Sequence, residues 1–322
     1  MTPYIVRRLL FLLPLLLAVS VVVFALGKTL PGDPVAAFLN AAGVNNPTLV
    51  AEIRAKYGLD DSLPVQYWTW LKLAVQGDFG DSIRKGEPVT ALVLRGMRNT
   101  GSVAAASVIL VIAVGWTMGV VAALVHNRRW PQVFSRFLAL FPVLMLSVPG
   151  FSIAVLMILL FGVLLGWLPT GGVSSARDGG GFADLAKHMI MPTIALALAS
   201  VGANWRLARN IMIEVLHEDY IRTAYAKGLP LWRVLFVHAL RNAIIPLITS
   251  AGLLFGSLLT GSFILEFIFN WPGIGRLMVE STLFRDIPVV MGGTMVLAAL
   301  YLLINLAVDV LYAAVDPRVR YG

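Results

Sequence analysis

Six long apolar stretches without a charged residue constrain the fold of this sequence more than any other feature. Each is near or above the length of about 20 residues that an α-helix needs to cross the hydrocarbon core of a bilayer. Lipid offers no hydrogen-bonding partners, so each stretch must satisfy its own backbone as a helix. The sequence therefore predicts an all-α integral membrane protein with six transmembrane helices: Leu9–Gly27, Gly101–Val125, Phe137–Leu168, Met189–Trp205, Asn242–Leu265 and Ile287–Val308.

Two of these stretches have features besides their length and apolar composition. The third is longer than one straight span and contains Pro142, Pro149 and Gly150, which predicts a kink or a short preceding helix. The first follows Arg7 and Arg8 and could be a secretory signal peptide. It is longer than a typical signal core, however, and no small-x-small cleavage site follows it, so a retained membrane anchor is favoured.

The composition excludes other classes of protein. Of the 322 residues, 58% are hydrophobic and 13% are charged, against about 25% charged in an average soluble domain. A disordered chain would need a low apolar content. A disulfide-stapled scaffold would need cysteine, and the chain has 0.

The positive charges predict the orientation of the helices. Six spans place both termini on the same side of the membrane, and that side carries thirteen Lys and Arg residues against four in the short loops opposite. Because Lys and Arg concentrate in the short loops on the cytoplasmic side of a membrane, both termini are expected in the cytoplasm. The segment 28–100 is too long for this rule to apply to its charges. The net charge of +8 therefore orients the helices and indicates no nucleic acid partner.

The segments between the spans suggest two external surfaces and one cytoplasmic elbow. The external segment 28–100 is expected to contain a short helix at Leu49–Tyr57 and an interfacial helix around Val65–Val75. The external segment Glu266–Asp286 reads as a turn followed by a short helix. On the cytoplasmic side, Leu207–Lys227 is predicted as one helix, which Gly228 and Pro230 end, followed by a second helix, Leu231–Ala243.

The sequence offers little catalytic chemistry of its own. Gly27-Lys28-Thr29 lacks the preceding glycine of a phosphate-binding loop, since position 22 is Val22. The four histidines do not form a metal-ligand pattern. The spans contain almost no ionisable group except Asp309, which leaves a proton-coupled secondary carrier as an alternative function. A non-transporting membrane scaffold is the second alternative.

Three GxxxG pairs lie within or at the ends of the spans and allow helices to approach closely. They serve either packing within the chain or a subunit interface: Gly115/Gly119, Gly162/Gly166 and Gly252/Gly256.

A set of motifs spread along the whole chain is similar to one known family. The cytoplasmic run Asp219-Tyr220-Ile221-Arg222-Thr223-Ala224-Tyr225-Ala226-Lys227-Gly228-Leu229 is followed by His238-Ala239-Leu240-Arg241-Asn242-Ala243-Ile244-Ile245-Pro246. Further motifs are Pro31-Gly32-Asp33-Pro34, Tyr57-Gly58-Leu59-Asp60, Gly77-Asp78-Phe79-Gly80, Trp271-Pro272-Gly273-Ile274-Gly275 and Asp316-Pro317-Arg318. In combination they closely resemble ABC importer permeases of the dipeptide/oligopeptide/nickel branch, in particular the first permease subunit.

This resemblance implies an ABC type I importer transmembrane fold in the bacterial inner membrane, with no cofactor on this chain. ATP and Mg would be bound by two partner ATPase subunits. Further partners would be a second homologous permease, an external substrate-binding protein and the lipid bilayer. The solute would be a dipeptide, an oligopeptide, glutathione or a nickel complex.

The resemblance also assigns residues and segments. The ATPase-coupling residues would be Glu218, Asp219, Tyr220, Arg222, Thr223, Ala224, Ala226, Lys227 and Gly228. Ala224 and Ala226 would allow close approach, and Gly228 would set the turn. Asp78, Glu266, Trp271 and Gly273 would belong to the surface for the binding protein and external gate. Residues 1–94 would form the first helix and external segment, 95–312 the core with the coupling loop 206–241, and 313–322 a cytoplasmic tail.

Two positions depart from the pattern. Tyr225 stands where this branch usually has Arg, and Thr223 stands where broader ABC importers often have Glu. Both positions bear on which ATPase the permease fits.

Overall fold

The structure is a computed structural model that describes residues 2–29, 48, 60–125, 132–174 and 180–315. The expected helix at Leu49–Tyr57 and the end of the expected tail, residues 316–322, lie outside the described residues. Within the described ranges the chain is almost wholly helical, and its β-structure is limited to an isolated bridge between Asp81 and Pro88.

The helices are numbered here in chain order. The first four are α1 (Thr2–Thr29), α2 (Leu63–Val75), α3 (Val89–Val111) and α4 (Thr117–Val125). The next four are α5 (Gln132–Ser147), α6 (Gly150–Met157), α7 (Phe182–His217) and α8 (Asp219–Ala226). The remainder are α9 (Leu231–Arg233), α10 (Leu240–Gly261), α11 (Phe263–Ile268), α12 (Ile274–Leu283) and α13 (Ile287–Val315). Three wider π-helical turns occur in the described chain, at Ile112–Trp116, Ile158–Leu164 and Val234–Ala239.

All six predicted spans fall on these helices. Among the described residues, four helical segments are long and apolar enough to cross a membrane: Arg7–Lys28, Val89–Val125, Leu231–Gly261 and Ile287–Leu311. The number rises to six if each of two bent helix pairs is one span. The predicted fifth span runs slightly too far, because α10 ends at Gly261 and Leu265 belongs to α11.

The predicted kink in the third span is confirmed. Its two halves, Arg136–Ser147 and Gly150–Leu164, meet at 91°. The break lies at Val148 and Pro149, where the proline ring disfavours helical backbone at the preceding residue. The fourth span is also bent, by 52° between Leu198 and Ser200, and the sequence did not predict this bend.

The chain forms two compact units. One contains residues 100–271 and α13 from Ala307 onward. In this unit the π-helical turn Ile112–Trp116 and α4 pack on α7 through Gly115 and Gly119 respectively, because both glycines lie against backbone atoms around Trp205. Gly252 on α10 lies against the side chain of Val308 on α13. These glycines therefore serve packing within the chain, whereas Gly166 adopts a φ of 63° just after a π-helical turn.

The other unit contains residues 2–99 and 272–306. The predicted helix Val65–Val75 is confirmed as α2, whose Tyr67 packs edge-on against Phe24 of α1 at 5.4 Å between ring centroids. The Tyr67 hydroxyl also lies 2.8 Å from Ser20 Oγ. The predicted turn and short helix after Glu266 are likewise present, since α12 begins at Ile274.

Candidate functional site

The elbow, defined as residues 206–241, has a break that the sequence did not predict. The expected single helix Leu207–Lys227 is wrong, because α7 ends at His217 and Glu218 adopts an extended conformation with φ −66° and ψ 146°. The Glu218 carbonyl then accepts hydrogen bonds from the backbone N–H groups of Ile221 and Arg222, at 3.0 and 3.3 Å, and starts α8. The break reorients the chain so that α8 presents its own apolar side to the protein interior.

The inner face of α8 is part of a buried core. Ile221 is 0% exposed and Ala224 is 5% exposed. Both belong to an apolar cluster with residues of four other segments of the same unit: Ala123, Met212, Val234, Ala239 and Ala243. The small side chain of Ala224 thus permits close approach of α8 to the chain's own core. The expected close approach to an ATPase remains a prediction for Ala226, which is exposed.

The outer face of α8 is polar and accessible. Arg222 Nη1 lies 3.5 Å from Asp219 Oδ1, and their side chains are 73% and 96% exposed. An ion pair this exposed contributes little to stability, so both charges are available to another molecule. Of the other expected coupling residues, all but Ala224 are also exposed: Glu218, Tyr220, Thr223, Ala226, Lys227 and Gly228.

A tight cap ends α8. Gly228 has a φ of 73°, its N–H donates to the Tyr225 carbonyl at 2.9 Å, and the Leu229 N–H donates to the Ala224 carbonyl at 3.3 Å. This pair of bonds is the Schellman arrangement, which favours glycine at the left-handed position. The expectation that Gly228 sets the turn agrees with this geometry.

One polar contact at the elbow was missed by the sequence reasoning. Asn242, in the first turn of α10, donates from Nδ2 to the Tyr220 hydroxyl at 2.9 Å. The two residues are 22 positions apart, so no helical spacing could indicate the contact. The motif His238–Pro246, which resembles that of ABC importer permeases, contains Asn242. The motif alone gave no reason to place the Asn242 side chain in the site.

The four residues expected at the external surface fall in two different units. In the unit that contains residues 100–271, Glu266 is 4% exposed. Its Oε1 accepts hydrogen bonds from Thr100 Oγ1 at 2.6 Å and from Ser262 Oγ at 2.9 Å. Trp271 in the same unit is buried, and its backbone N–H donates to the Glu266 carbonyl at 2.8 Å. The structure therefore brings these two residues together.

The other two residues belong to the second unit. Asp78 is exposed, and its Oδ1 accepts from the Gly80 N–H at 2.9 Å. Gly273 is buried and caps the start of α12 in an extended conformation. A neighbouring contact joins α3 to this segment, because Asn99 Nδ2 donates to the Pro272 carbonyl at 2.9 Å.

A carboxylate that the sequence reasoning missed holds a loop in the second unit. Asp286 is 3% exposed, and its two oxygens accept from Ser82 Oγ at 2.5 Å and from the Ile83 N–H at 3.1 Å. Arg84, in the turn 81–88, lies over the Phe284 ring at 3.8 Å. The turn 81–88 is thus fixed to the end of α12.

Ionisable side chains also occur on two of the long helices, α7 and α13. Asp184 and His188 form a buried pair on α7, with Asp184 Oδ1 3.2 Å from His188 Nδ1. Asp309, the residue of the carrier alternative, is half-buried on α13. Within the part of the chain that the structure describes, no three His, Cys, Asp or Glu side chains are grouped to hold a metal ion.

Comparison with known families accounts for nearly the whole chain. Residues 115–321 match the family described as "Binding-protein-dependent transport system inner membrane component". Residues 1–104 match the N-terminal family described as "Binding-prot-dependent transport system membrane comp, N-term".

Individual relatives agree with this match over full length. The oligopeptide transport system permease protein AppB of Bacillus subtilis is 40% identical over 331 aligned positions, covering 100% of both chains. The glutathione transport system permease protein GsiC of Escherichia coli strain K12 is 41% identical over 321 positions, again covering 100% of both.

A solved structure shows the same fold. The inward-facing MetNI methionine ABC transporter, in its native crystal form, aligns with a TM-score of 0.54 at 18% identity, covering 70% of this chain and 96% of that chain. The expected fold class is therefore confirmed. The full-length match to permeases named for oligopeptide and glutathione transport favours the importer over the carrier that would use Asp309 and over the non-transporting scaffold. The chain belongs to the family of binding-protein-dependent transport system inner membrane components, as a multi-pass permease subunit of an ABC transporter.

Proposed function

We propose that this permease subunit couples solute import to ATP hydrolysis by seating the outer face of α8 on a cytoplasmic ATPase subunit. The observation that carries the proposal is the division of α8 into two faces. Ile221 and Ala224 are buried in the chain's own core, while Asp219 and Arg222 are exposed. Movement of an ATPase bound to the outer face would be passed to the membrane helices through the inner face.

The complete importer would contain several other chains. Six spans seldom enclose a pathway for a peptide-sized solute, which supports a second, homologous permease. Two ATPase subunits would bind ATP and Mg, and this chain would bind no cofactor. The family's description as binding-protein-dependent supports an external protein that delivers the solute. Asp78, which is exposed, would contribute to the surface on that side, whereas the buried Glu266, Trp271 and Gly273 would belong to the gate.

Both termini would lie in the cytoplasm, as the distribution of Lys and Arg suggests. The chain has 0 cysteines, so a single introduced thiol can be labelled without background. A membrane-impermeant maleimide should label Leu283→Cys, on the exposed end of α12, in cells with a permeable outer envelope. Arg222→Cys should be labelled only in inverted vesicles, and the opposite pattern would refute the orientation.

The solute class is proposed from the relatives. AppB is named for oligopeptides and GsiC for glutathione, and both solutes are peptide-like molecules with charged ammonium and carboxylate groups. We expect small peptides or glutathione to be imported by vesicles that contain the complete transporter and its binding protein. Import of a nickel complex, with no import of either peptide class, would assign the other solute of this branch.

The ATPase contact is tested by co-purification. Arg222→Glu reverses a charge on the outer face of α8, and Gly228→Pro disrupts the cap that orients it, so both variants should lose the ATPase. Arg95→Glu is the matched control, because Arg95 is also exposed and paired, with Glu87 at 3.2 Å, but lies outside the elbow. Undiminished ATPase with both elbow variants would refute the assignment.

A further inference from the structure

Asn242 makes two hydrogen bonds with a single amide group. Its Nδ2 donates to the Tyr220 hydroxyl at 2.9 Å and to the His238 carbonyl at 3.0 Å. An amide NH₂ has two protons, so each proton has its own acceptor. The bond to His238 holds the side chain against its own helical segment. The bond to Tyr220 then reaches across to α8 from a side chain that is already fixed.

The Tyr220 hydroxyl is left with a proton to donate. A phenol both donates and accepts, and the contact from Asn242 uses it as an acceptor. Tyr220 is 40% exposed and lies at the edge between the outer and inner faces of α8, because it precedes the buried Ile221 and Ala224 by one and four positions. Its O–H is therefore available to an acceptor oxygen on a bound protein.

The same two helices are also joined by apolar packing. Ile221 and Ala243, the residues that follow Tyr220 and Asn242, belong to one buried cluster. Apolar contacts keep the helices together but have no preferred direction, whereas a hydrogen bond weakens steeply when its angle changes. The cluster thus holds α8 in a core that α10 also lines, and the Tyr220–Asn242 bond adds a directional contact between the two helices.

The segment between the two helices has an unusual backbone. Val234–Ala239 forms a π-helical turn directly before α10, and such turns are frequent at functional sites. The covalent path from α8 to α10 therefore runs through Gly228, at a φ of 73°, and then through this turn. The Tyr220–Asn242 hydrogen bond is a shorter connection that bypasses both.

We propose that Asn242 is a positioning residue for coupling. It orients the Tyr220 O–H toward a carbonyl or carboxylate oxygen of the ATPase, and it carries the displacement of α8 to α10. The inference rests on the proposed seating of α8 on an ATPase and adds the route by which that seating acts on the membrane helix.

The test uses the complete transporter, reconstituted in vesicles, with Asn242→Ala, Tyr220→Phe and the double variant. The measured quantity is the amount of solute imported per ATP hydrolysed, together with the amount of ATPase co-purified and the unfolding temperature. Each single variant should lower import per ATP about three- to tenfold, the range expected for loss of one hydrogen bond. The double variant should be no worse than Tyr220→Phe, since both remove the same connection.

A matched control removes a phenol hydroxyl elsewhere. Tyr301→Phe on α13 should leave import per ATP unchanged. The inference is overturned if both single variants keep normal import per ATP, or if their effects multiply in the double variant. Failure of the proposed function would instead appear in the unmodified chain as absence of bound ATPase.

Discussion

Gly119 on α4 lies so close to Trp205 on α7 that there is no room for a side chain between them. A Cβ atom at Gly119 would be 2.5 Å from the Trp205 carbonyl oxygen and 2.8 Å from the Ala208 Cβ. The Trp205 atom belongs to the backbone of a long helix and cannot rotate away. The two helices therefore pack at the distance that only glycine allows at this position.

We expect Gly119→Ala to lower the free energy of unfolding by about 1–3 kcal/mol, the usual cost of overpacking. Thermal unfolding of the purified protein in detergent measures the change. Gly101→Ala is the matched control, because Gly101 is also helical but has nothing within 4 Å of an added Cβ. Alanine should stabilise that position by up to about 1 kcal/mol through its higher helix propensity. Equal unfolding temperatures for the two variants would contradict the packing argument.

The cap of α8 should discriminate between side chains by backbone conformation alone. Gly228 has a φ of 73° and nothing lies within 4 Å of an added Cβ, so space is not the obstacle. Gly228→Val should cost about 1–2 kcal/mol because left-handed backbone is strained for L-residues. Gly228→Asn should cost less, since asparagine tolerates this region. Unfolding temperature and co-purified ATPase should both follow the order Gly, Asn, Val, and an effect that follows side-chain size without regard to φ would count against the argument.

Removing the Asp286 carboxylate should release the turn 81–88. Asp286→Ala leaves the Ser82 hydroxyl and the Ile83 N–H without their acceptor, and an unsatisfied buried group costs about 1–3 kcal/mol. We expect the Ile83 and Arg84 amides to exchange hydrogen faster by a factor consistent with that cost. Asp81→Ala, an exposed carboxylate in the same turn, is the control and should leave exchange at Ile83 unchanged. Unchanged exchange in Asp286→Ala would show that the turn is held by other contacts.

The stability of the protein should be reduced less by removing the charge of Glu266 than by removing its side-chain oxygens. Glu266→Gln keeps an acceptor for the Thr100 and Ser262 hydroxyls, whereas Glu266→Leu removes this shared acceptor and leaves Ser262 with the longer contact to the Leu259 carbonyl at 3.2 Å. The leucine variant should therefore be less stable than the glutamine variant by about 1–3 kcal/mol, as measured by thermal unfolding. If glutamine is as harmful as leucine, the negative charge itself is what this buried position requires.

Much of this fold could be predicted from the sequence, because a transmembrane helix is specified locally. An apolar run of sufficient length, such as Ile287–Val308, has no alternative to a helix in lipid. The kink at Pro149 was predictable for the same reason, since proline acts on its immediate neighbours. The sequence could not reveal the bend near Ala199 or the π-helical turn Val234–Ala239, which have no comparable local signal.

The elbow shows where local reasoning stops. The sequence Leu207–Lys227 has the composition of one helix, yet the chain breaks at Glu218 because Ile221 and Ala224 gain burial by turning inward. That gain depends on Met212 and Ala243, which lie on other helices. The Tyr220–Asn242 bond and the contact of Ser82 with Asp286, 204 residues later, likewise arise only after the helices have packed. Residue type alone could identify the exposed charges Asp219 and Arg222, but not the contacts behind them.

Neighbouring residues of α8 are under different evolutionary constraints, depending on the face of the helix on which they lie. Substitutions at Ile221 or Ala224 disturb a core that the chain needs in order to fold, whatever its partner. Substitutions at Asp219, Arg222 or Tyr225 change only what the helix displays. A permease built in this way could adapt to a different ATPase during evolution without altering its membrane helices, provided that Ile221 and Ala224 stay buried.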